Sequence, residues 1–364
     1  MDRMTRREAL LMFGAAAAVG AVRPAELSAQ EVDFPRGAVI RTLFKDYAPQ
    51  ELAGGATLFH EHLSLGPDFN DRFRAASAAV LAANGTAATQ RPVGPPPAPP
   101  GPDPMRDVKL MAEELRKAQR DGVACLVDAS LDGAGVDLAF IREAARQSGL
   151  PVVKGAGFYT QPFYPKQIAA TSEERLVAEL IRQADEYPAG AFGEIGSWDE
   201  ITAVERKVFR AVGKAHRATN LPIFTHTGIP GKSALEQLDI LEDVGVDPRR
   251  VAIGHLGNLT DPAVYVHKTL CRRGAYVGFD RQGGGNDAPV VPLIMALIEA
   301  GFADHVLISG DASRGYARPV TNFLPMLKAA GASDAVLHRI MVDNPRRFLA
   351  FVPKRERGAA AHAS

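Results

Sequence analysis

Eight short apolar runs recur along this chain, and seven of them follow a segment of helical length and periodicity. The runs are ATLFH (56–60), VACLVD (123–128), PVVKGAGF (151–158), AFGEIG (191–196), PIFTHT (222–227), VAIGH (251–255), AYVGFD (275–280) and VLISGD (306–311). Near-continuous apolar strands belong in a parallel sheet covered on both faces. Eight strand-and-helix units in about 300 residues predict an α/β fold, a single-domain (β/α)8 TIM barrel spanning residues 30–353. An open doubly wound sheet is the alternative, but no G-x-G-x-x-G turn follows the first run. Gly122, Gly149, Gly245 and Gly274 close predicted helices, where a left-handed residue is favoured.

The polar residues that end these runs carry the chemistry. They are His60 and His62 on the first strand, Glu194 on the fourth, His226 on the fifth, His255 on the sixth and Asp311 on the eighth. Residues two apart on a strand face the same side, so His60 and His62 can grip one cation while Glu61 points away. Imidazole and carboxylate together are the ligands of divalent transition metals. In a barrel, the C-terminal strand ends line the active site. The pattern therefore predicts a metallohydrolase site at the barrel mouth. His216, His267, His305, His338 and His362 fall in helices, loops or the tail and read as surface or cap residues.

Two metals close together need an anionic bridge to offset their repulsion. Glu194 has the two oxygens for it. Lys154, in VVKGAG on the third strand, is the rival and would serve only after carboxylation by carbon dioxide. Lys154 comes earlier along its strand, which favours Glu194.

Composition excludes little beyond this. Lys plus Arg and Asp plus Glu each number 42, for zero formal net charge, so no global signal for nucleic acid or an anionic membrane exists. Two cysteines, Cys125 and Cys271, do not make a disulfide scaffold, and Cys125 reads as a buried free thiol. Residues 1–29 have a basic start, the pair Arg6-Arg7, an Ala-rich apolar stretch and small residues before Ala29. That is the layout of a twin-arginine export signal, implying a periplasmic or secreted protein with no lasting membrane insertion. Residues 81–104 are Ala/Gly/Thr-rich and then Pro-rich, and predict a mobile or polyproline-like excursion after the first strand. Residues 354–364 predict a disordered tail.

Together, FHEHL, GFY at 157–159, GEIG, THTGIPGKSALEQLDILEDVGVDPRRVAIGHLGN, GAYVGFD, LISGDASR and DNPRRFL resemble the phosphotriesterase-related branch of the binuclear amidohydrolase superfamily. The likeness spans roughly residues 35–352. The family's familiar members carry a carboxylated lysine at the bridge, whereas Glu194 stands here, as in the subgroup of the bacterial phosphotriesterase homology protein. The resemblance implies two divalent ions, with zinc the default and manganese, cobalt or iron also suited to the set. It places His60, His62 and Asp311 on a buried ion, His226 and His255 on an exposed one, and Glu194 across both. A hydroxide between the metals would be the nucleophile, and Asp311 would carry its proton to the leaving group.

The resemblance further implies hydrolysis of an ester bond, foremost a lactone or carboxylic ester. A phosphotriesterase or other phosphoester hydrolase is the alternative, and a non-catalytic metal-binding barrel is the alternative of another class. Phe158, Tyr159, Trp198, Lys232, Arg281 and Arg314 lie just past strand ends, and Tyr159, Arg281 and Arg314 are the candidate substrate contacts. The partner expected is a small-molecule substrate, and a homodimer is compatible with the pattern.

Overall fold

A computed structural model describes residues 32–83, 101–228, 233–259, 263–285 and 287–354. The eight apolar runs form eight parallel strands: β1 Ala56–Glu61, β2 Val123–Asp128, β3 Val152–Ala156, β4 Ala191–Ser197, β5 Ile223–Thr227, β6 Val251–Ile253, β7 Tyr276–Phe279 and β8 Val306–Ile308. They pair in chain order from β1 to β8. At the seam, Asp311 N donates to His60 O at 3.1 Å and His62 N donates to Ala312 O at 2.9 Å. The sheet is thus nearly closed into the predicted barrel.

Each strand splits its apolar residues between two cores. Cys125, Val127, Val153, Ala191, Phe224, Ala252 and Leu307 fill the barrel interior with Phe59. Leu126, Val152, Phe192, Ile223, Ile253, Val277 and Ile308 alternate with them and pack against the helices. This period of two explains why the strands read as continuous apolar runs.

The interleaved helices are α1 Phe69–Ala83, α2 Val108–Arg120, α3 Leu138–Ser148, α4 Glu173–Glu186, α5 Ala203–Thr219, α6 Ala234–Asp243, α7 Tyr265–Arg273 and α8 Val291–Glu299. Local chemistry starts them: Asp107 accepts from Lys109 N and Leu110 N, Asp137 from Phe140 N, and Thr202 forms a reciprocal box with Glu205. Gly122, Gly149, Gly245 and Gly274 all take positive φ, from 74° to 102°, as their helix-ending role requires. Two further helical segments, Pro319–Ala329 and Asp334–Leu349, complete the ring.

Two expectations need amendment. Helix α1 was not anticipated, and it extends through residues 81–83 that were expected in the excursion. Residues 84–100, the expected export signal at 1–29 and residues 355–364 lie outside the described residues. His216 and His267 are core residues, not surface ones: His216 Nδ1 lies 2.7 Å from Leu221 O, and His267 Nε2 lies 2.9 Å from Leu256 O with its ring stacked on Phe279. Both cysteines are free and buried, and burial pushes each thiol up to about 12.

Candidate metal centre

The six strand-end residues converge at the C-terminal mouth of the barrel in two groups. His60, His62 and Asp311 make one, and Glu194, His226 and His255 the other, each with its ligand atoms within 4.8 Å of one another. Glu194 joins them. Its Oε1 lies 3.3 Å from His62 Nε2, and its Oε2 lies 3.4 Å from His60 Nε2, 2.9 Å from His226 Nδ1 and 3.5 Å from His255 Nε2. One carboxylate therefore faces all four imidazoles. Its neighbour must be glycine: Gly193 has φ 147°, and a Cβ there would meet Phe224 O at 2.5 Å.

Asp311 Oδ1 lies 3.1 Å from His62 Nε2 and 3.6 Å from His60 Nε2. Asp311 and His255 both take left-handed backbone, with φ 48° and 59°. Non-glycine residues in this region cost about 1–3 kcal/mol each and cluster at functional sites.

The cluster fits a divalent cation. His60 Nδ1 lies 3.1 Å from Asp280 Oδ2, and His255 Nδ1 lies 2.7 Å from Asp280 Oδ1. With the Nδ1 protons donated to Asp280, each Nε2 keeps a lone pair facing the cluster. His60 Nε2 is buried and has no hydrogen-bond partner among the described residues. His255 Nε2 and His226 Nδ1 sit 2.8 Å apart beside the Glu194 carboxylate. Imidazole lone pairs converging on shared carboxylates are a donor set that suits a divalent transition metal.

Burial opposes charge throughout, yet neighbouring charges prevail at most sites. Against its burial, His60, His226 and His255 hold the Glu194 carboxyl well below the usual carboxylate range. Asp311 is likewise held low by His62 and Arg281, and Asp280 by His255 and His60. Burial disfavours protonated His62, but Asp311 and Glu194 raise it to about 9. At His226, burial and the adjacent His255 prevail and lower it to about 4.

Lys154 is not part of this cluster. Its amine pairs with Asp128 Oδ2 at 3.1 Å and donates to Gly155 O at 2.8 Å and to Ser130 O. Of the substrate candidates, Tyr159 places its hydroxyl 3.1 Å from His226 Nδ1, and Arg281 Nε donates to Asp311 Oδ2 at 2.8 Å. Arg314 instead approaches Asp103, at 3.9 Å. Trp198 packs its ring 5.8 Å from that of His226. Phe158 turns away to pack on Tyr164, and Lys232 lies outside the described residues. Gln282 is buried at the start of the glycine run that follows β7.

Sequence reasoning missed three contributions. Asp280 ends its run as the six candidate ligands do, and that shared position was the available signal. Glu61 does point away from the cluster, but its carboxylate accepts from Ser309 Oγ at 2.7 Å, Gly310 N at 2.7 Å and Ala312 N at 2.9 Å. Phe69 and Phe73 reach the His226 side from helix α1, and no local pattern announced them.

Comparisons with known proteins agree with the barrel fold. The profile of the phosphotriesterase family matches residues 47–349. The phosphotriesterase homology protein of Escherichia coli is 31% identical over 259 residues, covering 66% of this chain and 88% of that protein. Its crystal structure, complexed with phosphate in the active site, aligns with a TM-score of 0.67 at 26% identity and covers 83% of this chain and 100% of that one. An aryldialkylphosphatase of Saccharolobus solfataricus is 30% identical over 263 residues, 65% of this chain and 83% of that protein. The human N-acetyltaurine hydrolase is 25% identical over 278 residues, 68% of this chain and 78% of that protein.

Proposed function

This chain belongs to the phosphotriesterase family of hydrolases, and from that premise we propose that it is a binuclear metal-dependent hydrolase that cleaves a lactone or carboxylic ester. The observation that carries this reading is the Glu194 carboxylate, which faces His60, His62, His226 and His255 at 2.9–3.5 Å. In this reading His60, His62 and Asp311 would hold one ion, His226 and His255 would hold the other, and Glu194 would offer a carboxylate oxygen to each. Zinc is the default for such ligands, with manganese, cobalt and iron as alternatives.

Bound divalent ions would supply Lewis acidity and lower the pKa of water. Asp311, kept ionised by His62 and Arg281, accepts a proton from the attacking water and passes it to the leaving group. Arg281, 25% exposed beside Asp311, orients that carboxylate and meets the substrate at the open side of the site. The Tyr159 hydroxyl, next to His226, positions the carbonyl. Asp280 fixes the tautomers of His60 and His255.

Phosphoester hydrolysis is the second reading, supported by the relative named as an aryldialkylphosphatase. A panel of lactones, aryl esters and paraoxon, assayed with zinc, manganese and cobalt, separates the two. Turnover of lactones and esters supports the first reading, and turnover of phosphotriesters alone overturns it. We further infer that residues 1–29 direct export by the twin-arginine route, leaving 30–353 as the mature barrel. The support is the Arg6-Arg7 pair and the Ala-rich stretch after it. No described helix is long and apolar enough to cross a membrane. N-terminal sequencing of periplasmic material should begin near residue 30, and an intact Met1 would contradict export.

A further inference from the structure

A polar side chain stands where helix α6 faces the barrel. The buried residues of α6 are Ala234, Gln237, Leu238, Ile240 and Leu241, and Gln237 is fully enclosed. A leucine there would bury without the cost of desolvating an amide. Gln237 instead uses every hydrogen-bonding group it has. Its Nε2 donates to His226 O and to Ser197 Oγ, each at 2.9 Å, and its Oε1 accepts from Thr225 Oγ1 at 2.7 Å and Thr227 Oγ1 at 3.3 Å. A carbonyl can only accept, so His226 O fixes which end of the amide faces it.

The network continues behind the second ligand group. Ser233 gives its one proton to Trp198 O at 2.7 Å, so Ser197 donates to Ser233, 3.1 Å away, while accepting from Gln237. Thr225 Oγ1, its proton given to Gln237, accepts from Gly254 N at 3.4 Å. Gln237, Ser197, Thr225, Thr227 and Ser233 are each at most 1% exposed. Side chains alternate along β5, so Thr225 and Thr227 face α6 while His226 between them faces the metal cluster. Ser197 ends the strand that carries Glu194 and pairs with Thr227, and Gly254 precedes His255. One amide thus ties the three strands that supply Glu194, His226 and His255. Among the described residues, none of its partners lies on β1 or β8, which Glu61 brackets for the other group.

We propose that Gln237 is a positioning residue for the Glu194, His226 and His255 group: it sets the height of His226 against its two partners, and thereby the affinity for one ion of the pair. The proposal rests on the binuclear reading above. A buried polar network in which every donor and acceptor is matched specifies one arrangement. Removing the amide leaves the His226 carbonyl and both threonine hydroxyls without their buried partner, so the ends of β4, β5 and β6 shift to find new ones. The His60, His62 and Asp311 group keeps its Glu61 bracket and its ion.

Cobalt titration of the metal-free full-length protein tests this without turnover, through the visible absorption of bound cobalt. In Gln237→Leu the affinity for one ion should fall about 10–100-fold, and that for the other should stay within about twofold. Added to His226→Ala, Gln237→Leu should weaken the remaining ion no further. Added to His62→Ala, it should weaken the remaining ion as much as it does in the otherwise intact protein. Thr225→Val keeps the side-chain volume and removes one hydroxyl. It should shift the same ion in the same direction, and it carries the test if Gln237→Leu folds poorly. A purely structural role would lower thermal stability and move both affinities equally or neither. Two unchanged affinities, equal loss of both, or an undiminished effect in the His226→Ala background would overturn the proposal. A wild type that takes up a single ion would refute the binuclear reading alone. An effect of Gln237→Leu on that ion that vanishes in His226→Ala would still assign Gln237 to His226.

Discussion

Glu61 accepts hydrogen bonds from the backbone N–H groups on both sides of Asp311, from Gly310 at 2.7 Å and Ala312 at 2.9 Å. The residue between the two strand-one histidines thus fixes the turn that carries the proposed base, across the seam where β8 meets β1. Asp311 sits there with left-handed backbone, and the Glu61 bracket stabilises that conformation.

Glu61→Gln replaces one acceptor oxygen with an amide that faces an N–H donor. A buried donor left unpaired costs about 1–3 kcal/mol. Thermal unfolding should register that loss. Because small displacements of a catalytic group are costly, kcat should fall on the order of 10–100-fold with metal content retained. An unchanged kcat would show that the bracket does not position Asp311.

Asp280 orients one histidine from each group. Loss of such outer partners weakens metal binding about 10–100-fold, so Asp280→Asn should do so for both ions. Competition with a fluorescent chelator measures this, and affinity equal to the wild type would refute the orienting role.

The His62 value of about 9 has a sign that can be checked. In metal-free protein this raised pKa contributes stability that is fully present below 6.5 and lost as pH rises through about 9. Metal ligation needs the neutral ring, so loading at about pH 7.5 should release at least one proton. Calorimetry in buffers of different ionisation enthalpy counts it. Zero release, or metal affinity that falls as pH rises from 6.5 to about 9, would contradict the assignment.

Lys154→Ala discriminates the two bridge candidates. Lys154 pairs with buried Asp128, and breaking such a pair typically costs about 3–5 kcal/mol. The variant should be less stable yet bind metal normally. Loss of an ion without loss of stability would return Lys154 to the centre.

The barrel and the convergence of the six candidate ligands at its mouth were legible because both reside in local pattern. Phe224 and His226 share one side of β5, and a period of two suffices to place both. Asp280 was equally legible in GAYVGFD, but a carboxylate that binds histidine Nδ1 atoms looks no different in sequence from one that binds metal. Helix α1 was not legible. The stretch FNDRFRAASAAVLAA is Ala-rich with a weak apolar stripe, and it is held by long-range contacts from Arg72 to Gly133 and Phe163. His267 misled for a related reason: it stands among Lys268, Arg272 and Arg273, and only packing on Phe279 reveals it as core.

The most direct test of the central claim is the metal content of the purified full-length protein and of its Glu194→Ala variant, by inductively coupled plasma mass spectrometry. Two groups bridged by one carboxylate predict close to two divalent ions per chain in the wild type and one or fewer in the variant. A fully active wild type holding a single ion, or a variant that keeps both, would contradict a glutamate-bridged binuclear centre.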